Sequence, residues 1–194
     1  MGIDAEKLLQ RSRRNKILHP DDIPELDLYI DQIISLMCAH LGSEGEREPL
    51  TRTMIHNYSK AGLISPVRGK KYSKEHILQM LAIYSLKNTL SIAQVKRVLT
   101  GAAASGMGEA ELARCFETQI ARRDAIDARL GETAQRIVEE NQIKLDTPEE
   151  VLSFLLTLTD ITDTLSRFAA AISEEYFPDP EPPKKKEKKP KKMP

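Results

Sequence analysis

The sequence predicts an all-α fold with a small β wing, followed by a C-terminal helical region for dimerisation or effector binding. Three observations lead there. Apolar residues recur at steps of three and four through most of the chain. The stretch that breaks this rhythm, LISPVRGKKY at residues 63–72, is short and punctuated by Pro66 and Gly69. The composition, 40% hydrophobic, 30% charged and 5% aromatic over 194 residues, suits a soluble helix-rich protein with a real core.

Each element has its own local signal. A basic helix over residues 4–18 would carry Leu8, Leu9, Ile17 and Leu18. A helix follows from Asp22 as N-cap, with Pro24 in its first turn and Gly42 past its end; Leu26, Ile30, Ile33, Met37 and Leu41 form its stripe. SEGEREP is a polar loop. The second helix, about 51–61, puts Met54, Ile55, Tyr58 and Ala61 on one side and Arg52, Thr53, His56, Asn57 and Lys60 on the other. Gly62 ends it. Two very short strands joined by a tight turn, a wing over about 64–72, come next. Ser73 caps a third helix whose Ile77, Leu78, Met80, Leu81, Ile83, Tyr84 and Leu86 are apolar nearly all round, so it should be the core element. Ser91 and Gln94 make a capping box for a fourth helix, with Ile92, Val95 and Leu99 inward.

TGAAASGMG, residues 100–108, is the expected hinge between two halves. Residues 109–142 then read as a helix with Leu112, Phe116, Ile120, Ile126, Leu130 and Ile137 on a discontinuous stripe. Thr147-Pro148-Glu149-Glu150 opens the last helix, where Val151, Leu155, Leu158, Ile161, Leu165, Phe168 and Ile172 lie close to heptad spacing. Two such helices cannot bury both stripes by themselves; a homodimer is the commonest solution. The tail, 178–194, is a Lys- and Pro-rich low-complexity segment that cannot pack and should be disordered.

The zero net charge hides a strong pattern. Residues 50–99 hold nine Lys/Arg against the single acid Glu75, a net of +8. The flanking blocks, 1–49 and 100–177, carry −4 and −8, and the tail +4. A basic block between acidic ones marks a surface suited to a polyanion; the competing reading is an ordinary solvated face.

The order of helix, polar helix, short wing, core helix and capped helix resembles the winged helix-turn-helix of the mercury-resistance regulator (MerR-like) superfamily. That family's pattern is Thr, apolar, Arg, Tyr, Tyr, acid, two variable positions, Gly, Leu. Here Met54 to Leu63 carry it, with His56 in place of Arg and Asn57 in place of the first Tyr. The wing is shorter than usual, and the loop over about 42–50 is longer. Residues 22–100 also resemble a bacterial domain-of-unknown-function family related to that superfamily. The likeness is carried by Leu28-Tyr29, Asp31-Gln32, Thr51, Thr53-Met54-Ile55, Asn57-Tyr58, Gly62-Leu63-Ile64, Pro66 and Lys70 to Ile77.

The resemblance implies a division into an N-terminal arm (1–21), a MerR-like DNA-binding domain (22–104), a helical dimerisation or effector region (105–177) and the tail. It implies a cytoplasmic, homodimeric transcription regulator that binds double-stranded DNA with the second helix in the major groove. Asn57 would pair with adenine, Arg52 with guanine or phosphate, and His56 with either. Thr51 and Thr53 would donate to phosphate at the helix N-terminus, and Lys60 extends the same polar side. Tyr58 divides between a core ring and a hydroxyl on the backbone. Arg68, Lys70 and Lys71 on the wing would position the protein on phosphates. Lys74, Lys87, Lys96 and Arg97 read more simply as solvated cations. The tail is a solubilising end, a second arm on DNA or a contact to an anionic membrane. An alternative function is a regulatory adaptor that docks through its helical half.

Other classes find little footing. No apolar run reaches the roughly 18–20 residues of a membrane span, and the N-terminus lacks a signal-peptide core and the full myristoylation motif. Cys38 and Cys115 lie far apart and read as free thiols in a reducing cytosol; Cys38 and His40 point to different sides of a helix. His19, His40, His56 and His76 are scattered. No catalytic site, cofactor or metal site is expected.

Overall fold

The computed structural model of the protein describes residues 18–41, 49–67, 69–140 and 143–177, together with Lys7, Leu8 and Arg11. The expected basic helix falls largely outside the described residues. So do Gly42, most of the SEGEREP loop, Arg68 and the Lys-rich tail.

A 3-10 turn, Pro20–Asp22, leads to β1 (Leu28–Tyr29) and α1 (Ile30–Leu41). Then come α2 (Arg52–Lys60), β2 (Lys71–Tyr72), α3 (Lys74–Leu86) and α4 (Ile92–Ala104). Two long helices, α5 (Glu109–Glu140) and α6 (Pro148–Tyr176), complete the chain.

α3 is the centre of the core. Every residue from Ile77 to Tyr84 is buried, and Ile33, Met37, Ile55, Tyr58 and Val95 close around it from α1, α2 and α4. α5 packs its first turns on α3, burying Leu112 and Phe116 in the same cluster. Ser91 and Gln94 form the expected capping box before α4, and Thr147 with Glu150 the one before α6.

Several expectations need correction. The first long helix starts at Ile30 rather than after Asp22. Pro20 and Pro24 each lack a backbone donor, and Leu28–Tyr29 is drawn out into a strand. Leu26 therefore leaves the stripe and is 78% exposed, while Ile23 and Leu18 fill the core from the irregular segment. The wing is not a hairpin of its own. β2 pairs antiparallel with β1, Leu28 opposite Tyr72 and Tyr29 opposite Lys71. Residues 63–67 stay irregular because Leu63 and Ile64 are both buried, which strand alternation forbids for neighbours. Gln79 on α3 holds that segment: its Oε1 accepts from Ser65 N at 2.8 Å and its Nε2 donates to Ser65 Oγ at 2.8 Å. In α4, Val95 is buried as expected, but Ile92, at the helix tip, is 47% exposed.

The glycine-rich stretch expected as a hinge is helical through Ala104, and the chain turns only at Ser105–Gly108. α2 and α4 close alike. Gly62 (φ +70) and Gly106 (φ +85) adopt the left-handed conformation. Leu63 N then reaches back to Tyr58 O, and Met107 N to Ala102 O.

The C-terminal part of α6 docks on α4. Ala169 and Ala170 pack against the core cluster, and Phe177 lies over Gly101. Elsewhere α6 leaves Leu152, Leu155, Leu156, Leu165, Phe168 and Ile172 exposed, with Ile126 and Leu130 on α5. Among the described residues no helix is long and apolar enough to cross a membrane.

Candidate nucleic-acid interface

α2 is short, and its caps fix which side faces out. Thr51 Oγ1 accepts from Met54 N at 3.2 Å, so this hydroxyl already caps the helix. Ile55 and Tyr58 are buried, which pins Thr53, His56, Asn57 and Lys60 on the solvent side with Arg52 at its margin. Tyr58 is 7% exposed and belongs to the core.

The cations divide into two sets. Arg52 forks onto Asp31 of α1, Nη2 lying 2.5 and 2.7 Å from the two carboxylate oxygens. Lys74 Nζ meets Glu25 at 2.6 Å, and that hydrogen bond holds its pKa above the ordinary lysine value against the opposing pull of burial. Arg97 lies 3.8 Å from Glu174 of α6. These three spend charge on acids from outside the basic block. Lys60, Lys70, Lys71 and Lys96 have no carboxylate partner among the described residues. Lys71 Nζ stands 5.1 Å over the Tyr29 ring, and Lys87 Nζ 5.1 Å over Tyr84.

Because Asp31 and Tyr29 are near neighbours at the start of α1, Arg52 and Lys71 both reach the same short segment. The start of α2 and the end of the 63–72 turn are thereby joined through residues 29–31. His56 and Gly69 also line one groove, which ties the middle of α2 to that turn from its other side. Arg68 is outside the described residues. The acids at Asp31 and Glu25 are what sequence reading missed. They lie 21 and 49 residues ahead of their partners Arg52 and Lys74, so only tertiary packing reveals them.

Fold and surface together define a small, mostly helical domain with a two-stranded antiparallel sheet, in which a polar, cation-bearing helix packs on α1 and buries Ile55 and Tyr58 in the core. Over residues 18–118, just over half of the chain, it matches the family described as a domain of unknown function, DUF1836, and it belongs to that family. The matched span ends after Leu112 and Phe116, the two α5 residues that enter the core. No curated protein and no solved structure matches the chain.

Proposed function

We propose that the protein is a sequence-specific, homodimeric DNA-binding transcription regulator of the MerR-like winged-helix kind, working in the cytoplasm. The observation that carries this reading is the exposed side of α2. Thr53, His56, Asn57 and Lys60 share it; Gly69, of the turn that leads into Lys70 and Lys71, lines one groove with His56, and no acid pairs those lysines among the described residues. In the complex α2 enters the major groove; Asn57 and His56 read base edges, and the lysines hold phosphates. Arg52 exchanges Asp31 for a phosphate or a guanine. The two-stranded sheet acts as the wing even though one strand comes from ahead of α1.

The test is a binding titration on genomic fragments that include the protein's own promoter. Log affinity should fall with log salt at a slope of roughly −4 to −8 for a dimer. Asn57→Ala with His56→Ala should erase preference between fragments, whereas Lys70→Ala with Lys71→Ala should weaken all of them alike. A flat salt response, or equal binding to every fragment, rules the reading out.

A second reading, an adaptor that binds another protein, draws on the exposed apolar residues of α6. Light scattering separates the two: a monomer at micromolar concentration favours the adaptor, because a two-fold operator calls for a two-fold protein.

A further inference from the structure

A groove of about 750 Å³ runs beside the exposed side of α2, in the size range of sites for small molecules. Its walls are the two helix closures already described. Leu63, which follows the left-handed Gly62, lines one side; Met107, which follows Gly106, lines the other. Ile64, Leu99 and Leu112 add apolar surface.

The polar groups along it, among the described residues, carry no negative charge. Ser59 Oγ is shut off from solvent and has no hydrogen-bond partner among the described residues. His56 and Thr100 are exposed at the mouth, and neither Ser65 nor Gln79 brings charge. Lys96 Nζ stands 3.9 Å from where a Cβ on Gly62 would lie, which puts an ammonium at the rim. Among the described residues no carboxylate side chain lines the groove; Glu75 stands behind it, accepting from Gln79 Nε2 at 3.0 Å.

Apolar walls, an exposed imidazole at the mouth, an ammonium at the rim and no acid among the described lining residues select a molecule with an apolar body and an anionic head. We infer that this groove binds a small amphipathic carboxylate, its chain against Leu63, Leu99 and Met107 and its head toward His56 and Lys96. Such a ligand would touch both α2 and α4 and occupy space next to His56. Its effect on DNA rests on the reading above, whereas the site itself does not.

Isothermal titration calorimetry of the full chain with octanoate, decanoate and 4-phenylbutyrate tests the site, with 1-octanol as the uncharged control. At least one carboxylate should bind saturably and more tightly than octanol. Ala103→Trp fills the groove from an exposed position and should lower affinity at least tenfold, with the helical circular dichroism unchanged. Lys96→Gln should weaken carboxylates about fivefold and leave octanol as it was. The site is overturned if no carboxylate binds, if Ala103→Trp binds as well as the parent, or if octanol matches octanoate. A separate arm repeats the DNA titration with saturating octanoate. A threefold or larger change in DNA affinity supports coupling, and an unchanged affinity overturns it. Failure to bind DNA under any condition sinks the regulator reading and leaves the calorimetry standing.

Discussion

At Asp31 a single carboxylate holds the guanidinium that opens α2. The two side chains are 71% and 57% exposed, so the pair contributes only about 0.2–1 kcal/mol to folding despite its forked geometry. Its larger effect is on the surface potential, where the carboxylate's charge cancels that of one cation of α2. Asp31→Asn should therefore leave the urea midpoint almost unchanged. On the proposed reading it should tighten binding to DNA and steepen the salt dependence by about one ion, measured by titration at several salt concentrations. Glu111 works differently. Its Oε2 accepts from Gly108 N at 3.0 Å, and that bond leads the causes that hold its carboxyl below the ordinary 4.5; Arg114 adds a smaller pull. The carboxylate thus favours the folded state above pH 4.5, and the advantage is lost as pH falls through the lowered folded value. Glu111→Gln should melt slightly below the parent at pH 7, with the gap narrowing as the pH of the measurement is lowered.

At the level of elements, α4 and α6 meet at a glycine. A Cβ on Gly101 would lie 2.5 Å from Phe177 Cδ1 and 3.2 Å from its Cβ and Cγ, so no other residue fits without moving Phe177. Two effects compete in Gly101→Ala. Helix propensity favours alanine by up to about 1 kcal/mol, while displacing the half-buried ring forfeits up to about 2 kcal/mol of burial. The ring should win, and Gly101→Ala should destabilise the parent by about 1 kcal/mol. In a Phe177→Ala background the same change should stabilise by a similar amount, which reverses the sign in urea denaturation and yields the coupling. Much of this architecture was legible in the sequence. Capping boxes at Ser91 and Thr147, the all-round apolar α3 and the two faces of α2 are local patterns, complete within a few residues. What was hidden depends on distant partners. The pairing of Leu28–Tyr29 with Lys71–Tyr72 decided where α1 begins and replaced the expected hairpin. Phe177 on Gly101 turned a flexible-looking glycine run into the last turns of a packed helix. For the candidate site, the 3.6-residue period gave the exposed side of α2, but not which cations would be taken up by Asp31, Glu25 and Glu174.

For the whole molecule the question is what covers α6. Leu165, Phe168 and Ile172 are 57%, 64% and 52% exposed, one stripe at steps of three and four, with Ile161 at its head. Thr162, Thr164, Ala169 and Ala171 flank it, small and uncharged, and Glu175 continues it one step past Ile172. A two-fold contact sets each residue against a different one of the partner except on the axis, and apolar residues at this spacing are the usual seam between like helices. On the proposed reading a second copy of the same chain covers the stripe. The helix also joins that face to the half of the molecule that carries α2, because next along Ala170 packs against the core cluster and Phe177 lies over Gly101 of α4. Leu165→Glu with Phe168→Glu should leave the circular dichroism helical, since both side chains are already largely in solvent. By light scattering it should convert a dimer into a monomer at micromolar concentration. On the proposed reading, affinity for a two-fold operator should then fall by two orders of magnitude or more, because the second half-site no longer benefits from the first. A double variant that stays dimeric would place the subunit contact on another face, with Ile126 and Leu130 of α5 the next residues to change.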